Sequence, residues 1–282
     1  MFRLVSMRHV SRLLPLAIVL ATFTSLTTTA PTTAPSSGPL VAVGGGGTVD
    51  AICAELLRLG GDGESRMLLV PCASEDPSAG AELLEFWKEK GFERAEVLAE
   101  DGEQARLQIA AAGVLWMGGG DQKRLVDELR RRGLDALIAE RHRAGAVVGG
   151  TSAGAAALSK AMILGGETAD LEAVKRGGTA LVEGLDLLDA AIFDQHYLRR
   201  RRFARLLAAV LDHPKRIGIG VDERTAAIVR GTAIEVVGEG QVLVIDARAA
   251  RIEPSEEGAL HSARGVRLEL LRSGDRFDWS DK

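Results

Sequence analysis

The sequence predicts an α/β fold, a three-layer sandwich around a mostly parallel central sheet, with short antiparallel strands toward the C-terminus. Two observations carry this. Between Leu40 and Thr151, apolar runs of four to six residues alternate with helix-prone segments of ten to twelve, the pattern of parallel strands buried on both faces. Three of those runs empty into glycines, at Gly44–Gly47, Gly118–Gly120 and Gly149–Gly150, so tight turns gather at strand ends, where ligands of such sheets bind.

In order, strands are expected at Leu40–Val43, Met67–Pro71, Ala95–Leu98 and Val114–Met117, with helices at 49–59, 79–90, 102–112, 123–131 and 134–143 between and after them. Gly44–Gly47 resembles the start of a dinucleotide site, but Gly-x-Gly-x-x-Gly needs glycine at position 49 or 50, where Val49 and Asp50 stand. It reads instead as a strand-to-helix turn near the active face. Ala146–Leu158 follows as strand, turn and helix. An irregular stretch over 165–184 precedes a strand at 190–193. A helix is expected over 198–213, with Phe203, Leu206, Leu207 and Val210 as its buried stripe. Further strands are read at 217–221, in AAIVR, IEVV and VLVID, and at 266–271, the last four as an antiparallel extension of the sheet.

The chain has 282 residues, enough for one large domain over 40–282. Its first 39 residues read as export machinery. Arg3, Arg8 and Arg12 precede a short apolar run, Leu13–Leu26, and a Thr/Pro/Ser-rich tail over 27–39 that reads as a linker, the features of a signal peptide for periplasmic or extracellular delivery. The run is far short of the roughly 20 residues that span a bilayer, so no stable membrane insertion is expected after processing. Without the leader's three arginines, 32 basic residues stand against 39 acidic ones, a formal charge of −7, which argues against nucleic acid as partner. Cys53 and Cys72 read as free, buried thiols. No Cys or His spacing suggests a metal site, and no cofactor is expected.

The chemistry centres on Gly150-Thr151-Ser152-Ala153-Gly154, a Gly-x-Ser-x-Gly at a strand-to-helix turn. Glycines there allow a sharp turn and close approach of substrate, and the helix start leaves N–H groups for a developing oxyanion, with Ala153 and Gly120 as donors. The serine needs a base. His196 is best placed, after a strand and among polar residues, whereas His142 and His213 stand at helix ends. Glu223, at a later strand end, would orient the imidazole, with Asp222 as rival acid. An esterase-like alternative keeps Ser152 with Glu223 or Asp222 but takes His261 as base. A catalytically silent peptide-binding module is a further alternative.

The runs MGGGDQ, GGTSAGAAAL, GLDLL, IFDQHYLRRRRFARLL and GIGVDERTA, in this order over most of Leu40–Val237, resemble the cyanophycinase and aspartyl dipeptidase family of serine peptidases. The resemblance implies a class I glutamine amidotransferase-like fold, a triad of Ser152, His196 and Glu223, and a homodimer by analogy. It also implies that Gln122, Asp194, Gln195, Arg200, Arg202 and Arg205 line the pocket for a peptide of Asp and Arg character, such as cyanophycin. Arginines suit free carboxylates through bidentate pairing. On charge pattern alone, Arg199–Arg202 would be a solvated helix face.

Overall fold

The computed structural model describes residues 37–164 and 173–280. The leader expected over 1–39 falls outside them up to residue 36, as do 165–172 of the irregular stretch. In the first half the elements are β1 (Leu40–Val43), α1 (Asp50–Leu59), β2 (Met67–Val70), α2 (Ala79–Glu89), β3 (Ala95–Val97), α3 (Gly102–Ala111) and β4 (Val114–Met117). Then come α4 (Gln122–Arg131), α5 (Asp135–Arg143), β5 (Val147–Thr151), α6 (Ala153–Ala156), β6 (Ala161–Ile163), β7 (Leu181–Glu183) and β8 (Ala191–Gln195). The rest comprises α7 (Phe203–Asp212), β9 (Ile217–Val221), β10 (Thr225–Arg230), β11 (Ala233–Gly238), β12 (Gln241–Asp246), β13 (Arg251–Ile252), β14 (Ala263–Arg264), β15 (Arg267–Arg272) and β16 (Arg276–Asp278).

The central sheet runs β16-β11-β10-β1-β5-β4-β2-β3. Its pairings from β1 through β5, β4 and β2 to β3 are parallel, and β10, β11 and β16 extend it antiparallel beyond β1. Alternation along each strand divides the core in two. Val41, Val43, Leu69 and Trp116 pack with Ile52 and Leu56 of α1 and Trp87 of α2. Ala42, Val70, Leu115 and Met117 face the other way, toward Ile109, Leu125 and Ile138 of α3, α4 and α5. Local chemistry starts two of these helices: Asp101 accepts from the Gln104 N–H and Asp121 from the Arg124 N–H, both at 2.8 Å.

The C-terminal half departs from the single extended sheet expected. Only β10, β11 and β16 join the central sheet, whereas β15-β12-β9-β8 forms a second one in which β8 and β9 are parallel. The reason is that β12 is apolar on both faces: Val242 and Val244 join the core shared with the central sheet, and Leu243 and Ile245 pack with α7. The helix expected from residue 198 begins at Phe203 instead, because Arg201 stands at φ 52° and the Arg200, Arg201 and Arg202 N–H groups bond back to His196, Leu198 and Tyr197 in turns. Its buried stripe is Leu206, Ala209 and Val210, with Phe203 exposed. The hairpin β6–β7 forms in and beside the stretch expected to be irregular. Cys53 is buried and Cys72 half-buried, both as free thiols. Among the described residues no helix is long and apolar enough to cross a membrane.

Glycines in β9 let its neighbours approach. A Cβ on Gly218 would meet Leu206 and Val210 of α7, and one on Gly220 would lie 2.5 Å from the Tyr197 ring. Tyr197 is fully buried beside the end of β8, so the ring cannot swing out. We expect Gly220→Ala to lower unfolding free energy by about 1–3 kcal/mol through overpacking, read as a shift of the urea midpoint.

Candidate active site

Ser152 sits between β5 and α6 at φ 53° and ψ −110°, a strained conformation for a residue with a side chain. Crowding at the turn explains its glycines. A Cβ on Gly150 would press on the Gly154 backbone at 2.6 Å, and one on Gly154 would reach the Met117 carbonyl at 2.4 Å. The turn holds its strain because the Ser152 N–H donates to the Val43 carbonyl at 2.9 Å, tying it to β1.

His196 follows β8, also at positive φ, 50°. Its Nε2 lies 2.9 Å from Ser152 Oγ and its Nδ1 2.7 Å from Glu223 Oε1. The carboxylate can only accept, so Nδ1 carries the hydrogen and the Nε2 lone pair faces the serine hydroxyl. Burial of the ring depresses the His196 pKa, the hydrogen bond to Glu223 opposes that, and the Arg200 and Arg202 charges add to the depression. The Glu223 carboxyl is held below its usual range, first by the hydrogen bond from His196. The imidazole is therefore neutral at pH 7, ready to accept a proton.

The other titratable candidates are engaged elsewhere. Asp222 Oδ1 accepts from the Arg199 N–H at 3.0 Å, so it pins the turn after His196. His261 pairs through Nε2 with Asp212 Oδ1 at 3.0 Å, and His142 with the Gly38 carbonyl at 2.8 Å. The structure thus brings His196, not His261, to Ser152.

The pocket residues suggested by the resemblance divide into two groups. Asp194 and Arg205 are buried and face each other: Arg205 Nε donates to Asp194 Oδ2 at 2.8 Å and its Nη2 to Oδ1. Gln122 is buried too, donating to the Ile163 carbonyl at 3.1 Å. Arg202 reaches back to both the main-chain carbonyl and Oε1 of Gln195 at 2.6 Å. Burial, then Arg205, pushes the Arg202 pKa down to about 10, which still leaves it a cation at neutral pH. Arg200 is exposed beside the relay. Of the expected oxyanion donors, Ala153 directly follows Ser152, while Gly120 at φ 137° is packed on the Ala73 carbonyl. The residue facing the serine across the crevice is Gly119, whose Cβ would lie 3.6 Å from Ser152 Cβ. Sequence reasoning missed it, since within a run of three glycines nothing distinguishes the one that faces the nucleophile. Among the described residues no cluster of His, Cys, Asp and Glu could hold a metal ion.

A strained serine at a strand-to-helix turn, hydrogen-bonded through histidine to a carboxylate at the carboxyl ends of the strands, defines a serine hydrolase. The family model of peptidase family S51 matches residues 40–237, and the chain belongs to that family of serine peptidases. It is cyanophycinase-like. A cyanophycinase of Geminocystis herdmanii is 34% identical over 233 residues, covering 77% of this chain and 84% of its own. One from Trichormus variabilis is 32% identical over 252 residues, covering 82% and 83%. The fold is similar to that of a peptidase from an acI-B1 actinobacterium, with a TM-score of 0.61 at 23% identity over 87% of this chain and 98% of that one. It is also similar to a putative peptidase E of Listeria monocytogenes, at 0.50 and 17% over 73% and 100%.

Three expectations follow. Asp194→Ala strips a buried guanidinium of its carboxylate and should cost about 3–5 kcal/mol in urea unfolding. The acid limb of kcat/KM should fall below the ordinary imidazole value of about 6.5, because a depressed pKa keeps the base neutral at lower pH. Arg200→Gln removes a cation that disfavours imidazolium, so it should move that limb to higher pH.

Proposed function

We propose that this peptidase cleaves cyanophycin, a poly-aspartate carrying arginine on its side-chain carboxyls, or related aspartyl peptides, through an acyl-enzyme on Ser152. The observation that carries the reading is the set of cations beside the relay: exposed Arg200 and the Arg202 guanidinium held against Gln195. Such groups suit a substrate bearing free carboxylates. Gln195 can accept from a guanidinium through its amide oxygen or donate to a carboxylate through its NH2. Asp194 and Arg205 would act from behind, fixing these two side chains. The cyanophycinases at 32–34% identity favour this substrate class.

In the reaction, Ser152 Oγ attacks the scissile carbonyl carbon as His196 Nε2 takes its proton. Glu223 stabilises the imidazolium through Nδ1–H. The oxyanion is held by backbone N–H groups of Ala153 and of the Gly119–Gly120 segment. His196 then gives the proton to the leaving amine, water enters, and the same histidine takes a proton from the attacking water and returns it to Ser152 Oγ as the acyl bond breaks and the carboxylic acid leaves. Export through the expected leader would carry this activity outside the cytoplasm, and pairing of two copies is expected by analogy.

The test is dipeptide release from cyanophycin and from a panel of acidic peptides, for the chain without its first 39 residues and for its Ser152→Ala variant. Release of β-aspartyl-arginine that falls by about 10⁶-fold in the variant supports the reading, on the scale seen when a serine nucleophile is removed. Release from other peptides alone would keep the mechanism and refute cyanophycin as the substrate.

A further inference from the structure

The turn between β1 and α1, Gly44–Gly47, has no side chain to offer and takes no part in the chemistry above, yet together with Val43 before it, it contacts every member of the relay. Three successive carbonyls at the end of β1 accept backbone N–H groups from three separate parts of the chain. Val43 accepts from Ser152 at 2.9 Å, Gly44 from His196 at 2.7 Å, and Gly45 from Arg224, the neighbour of Glu223, at 2.8 Å. The Gly44 N–H in turn donates to the Thr225 carbonyl at 3.0 Å. Residues 152, 196 and 223 come from the ends of β5, β8 and β9, and among the described residues this is the only backbone segment that bonds at or next to all three.

The contacts continue above the backbone. Gly45 lies against the imidazole: a Cβ there would be 2.3 Å from His196 Cε1, 2.5 Å from Nε2 and 2.9 Å from Nδ1. Gly46 lies against the carboxylate, where a Cβ would be 2.7 Å from Glu223 Cβ and 2.9 Å from Oε2. Gly47 provides the contrast. Its φ of 98° matches the 95° of Gly45, but a Cβ on it would meet nothing within 4 Å. Turn geometry therefore explains all three glycines, and only contact with the relay separates Gly45 and Gly46 from Gly47.

We infer that Gly45 and Gly46 are positioning residues: their bare Cα surfaces set the plane of the His196 ring and the place of the Glu223 carboxylate, while the carbonyls of β1 and its turn set the backbone register of the three groups. The inference rests on the roles proposed for Ser152, His196 and Glu223. Restoring ordinary contact with a methyl at Gly45 requires the ring to move by about 1 Å, a misplacement that can cost about 10²-fold in rate.

The experiment compares Gly45→Ala with Gly47→Ala in the full chain, measuring thermal midpoint, kcat and KM for a cleaved peptide, and the rate of labelling by a fluorophosphonate. Both variants place alanine at the same left-handed φ and share that strain, and Gly45→Ala adds the clash with the ring, so its thermal midpoint should fall further. Gly45→Ala should lose about 10²-fold in kcat and in labelling rate with KM unchanged, and Gly47→Ala should keep both within a few-fold. Gly46→Ala, whose methyl meets mainly the flexible Glu223 side chain, covers the case in which Gly45→Ala does not fold. By weakening the bond to Nδ1 it should lower kcat and move the acid limb to lower pH. Equal losses of kcat in Gly45→Ala and Gly47→Ala, or a folded Gly45→Ala or Gly46→Ala with wild-type labelling, overturn the inference. A wild-type protein that the fluorophosphonate leaves unlabelled overturns the nucleophile assignment itself, and the inference with it.

Discussion

The buried ion pair between Asp194 and Arg205 is the constraint on which the functional end of the molecule depends. Its two side chains are 0% and 5% exposed, so water screens neither charge. A pair so placed adds little net stability over an apolar packing of the same volume, because desolvation offsets the attraction. What it supplies is geometry. Arg205 belongs to α7 and Asp194 to the last turn of pleat in β8, so the bond locks helix to strand one residue pair before His196. Asp194 Oδ1 also accepts from the Gln195 N–H at 2.8 Å, and Arg202 stands 3.7 Å from the same oxygen. The backbone can then turn into the positive φ of His196 without the strand end fraying.

From that locked end, electrostatics pull in two directions. The arginines after His196 suit an acidic substrate, and the same charges disfavour protonation of the base they surround. Glu223 opposes them through its bond to Nδ1. The imidazole is thereby balanced between a carboxylate that holds its proton and cations that resist a second one, a balance a bound carboxylate would tilt toward imidazolium just as Ser152 gives up its hydrogen. In the proposed reaction, recognition and proton transfer would share one set of charges.

Much of this was legible in the sequence because the signals are local. β1, β2 and β4 are continuous apolar runs and β3 is broken only by Glu96, and the observed limits of these four fall within a residue of those expected. The elbow serine could be read from its glycines, and the histidine and glutamate from strand ends, because each is a chain-local pattern. What escaped was decided by tertiary packing. Nothing in VLVID says that its second face is covered by α7, so the sequence pattern puts β12, and β15 paired with it, in the wrong sheet. Arg199–Arg202 has helical composition, but Arg202 is drawn back to Gln195 and Arg201 takes a left-handed turn. Asp194 and Arg205 have the residue types of a binding clamp, yet burial turns them toward each other. The glycines beneath the relay read as a turn and nothing more, since the sequence carries no mark of which Cα meets an imidazole.

Ser152 belongs to the central sheet, whereas His196 and Glu223 extend from strands of the second. The nucleophile and its base are therefore brought together only when the two sheets close over the core they share. A chain in which β8 has not docked leaves the Ser152 hydroxyl without its imidazole partner. The hydrolytic capacity proposed for these residues therefore needs both sheets in place, which makes latency before folding a by-product of the topology.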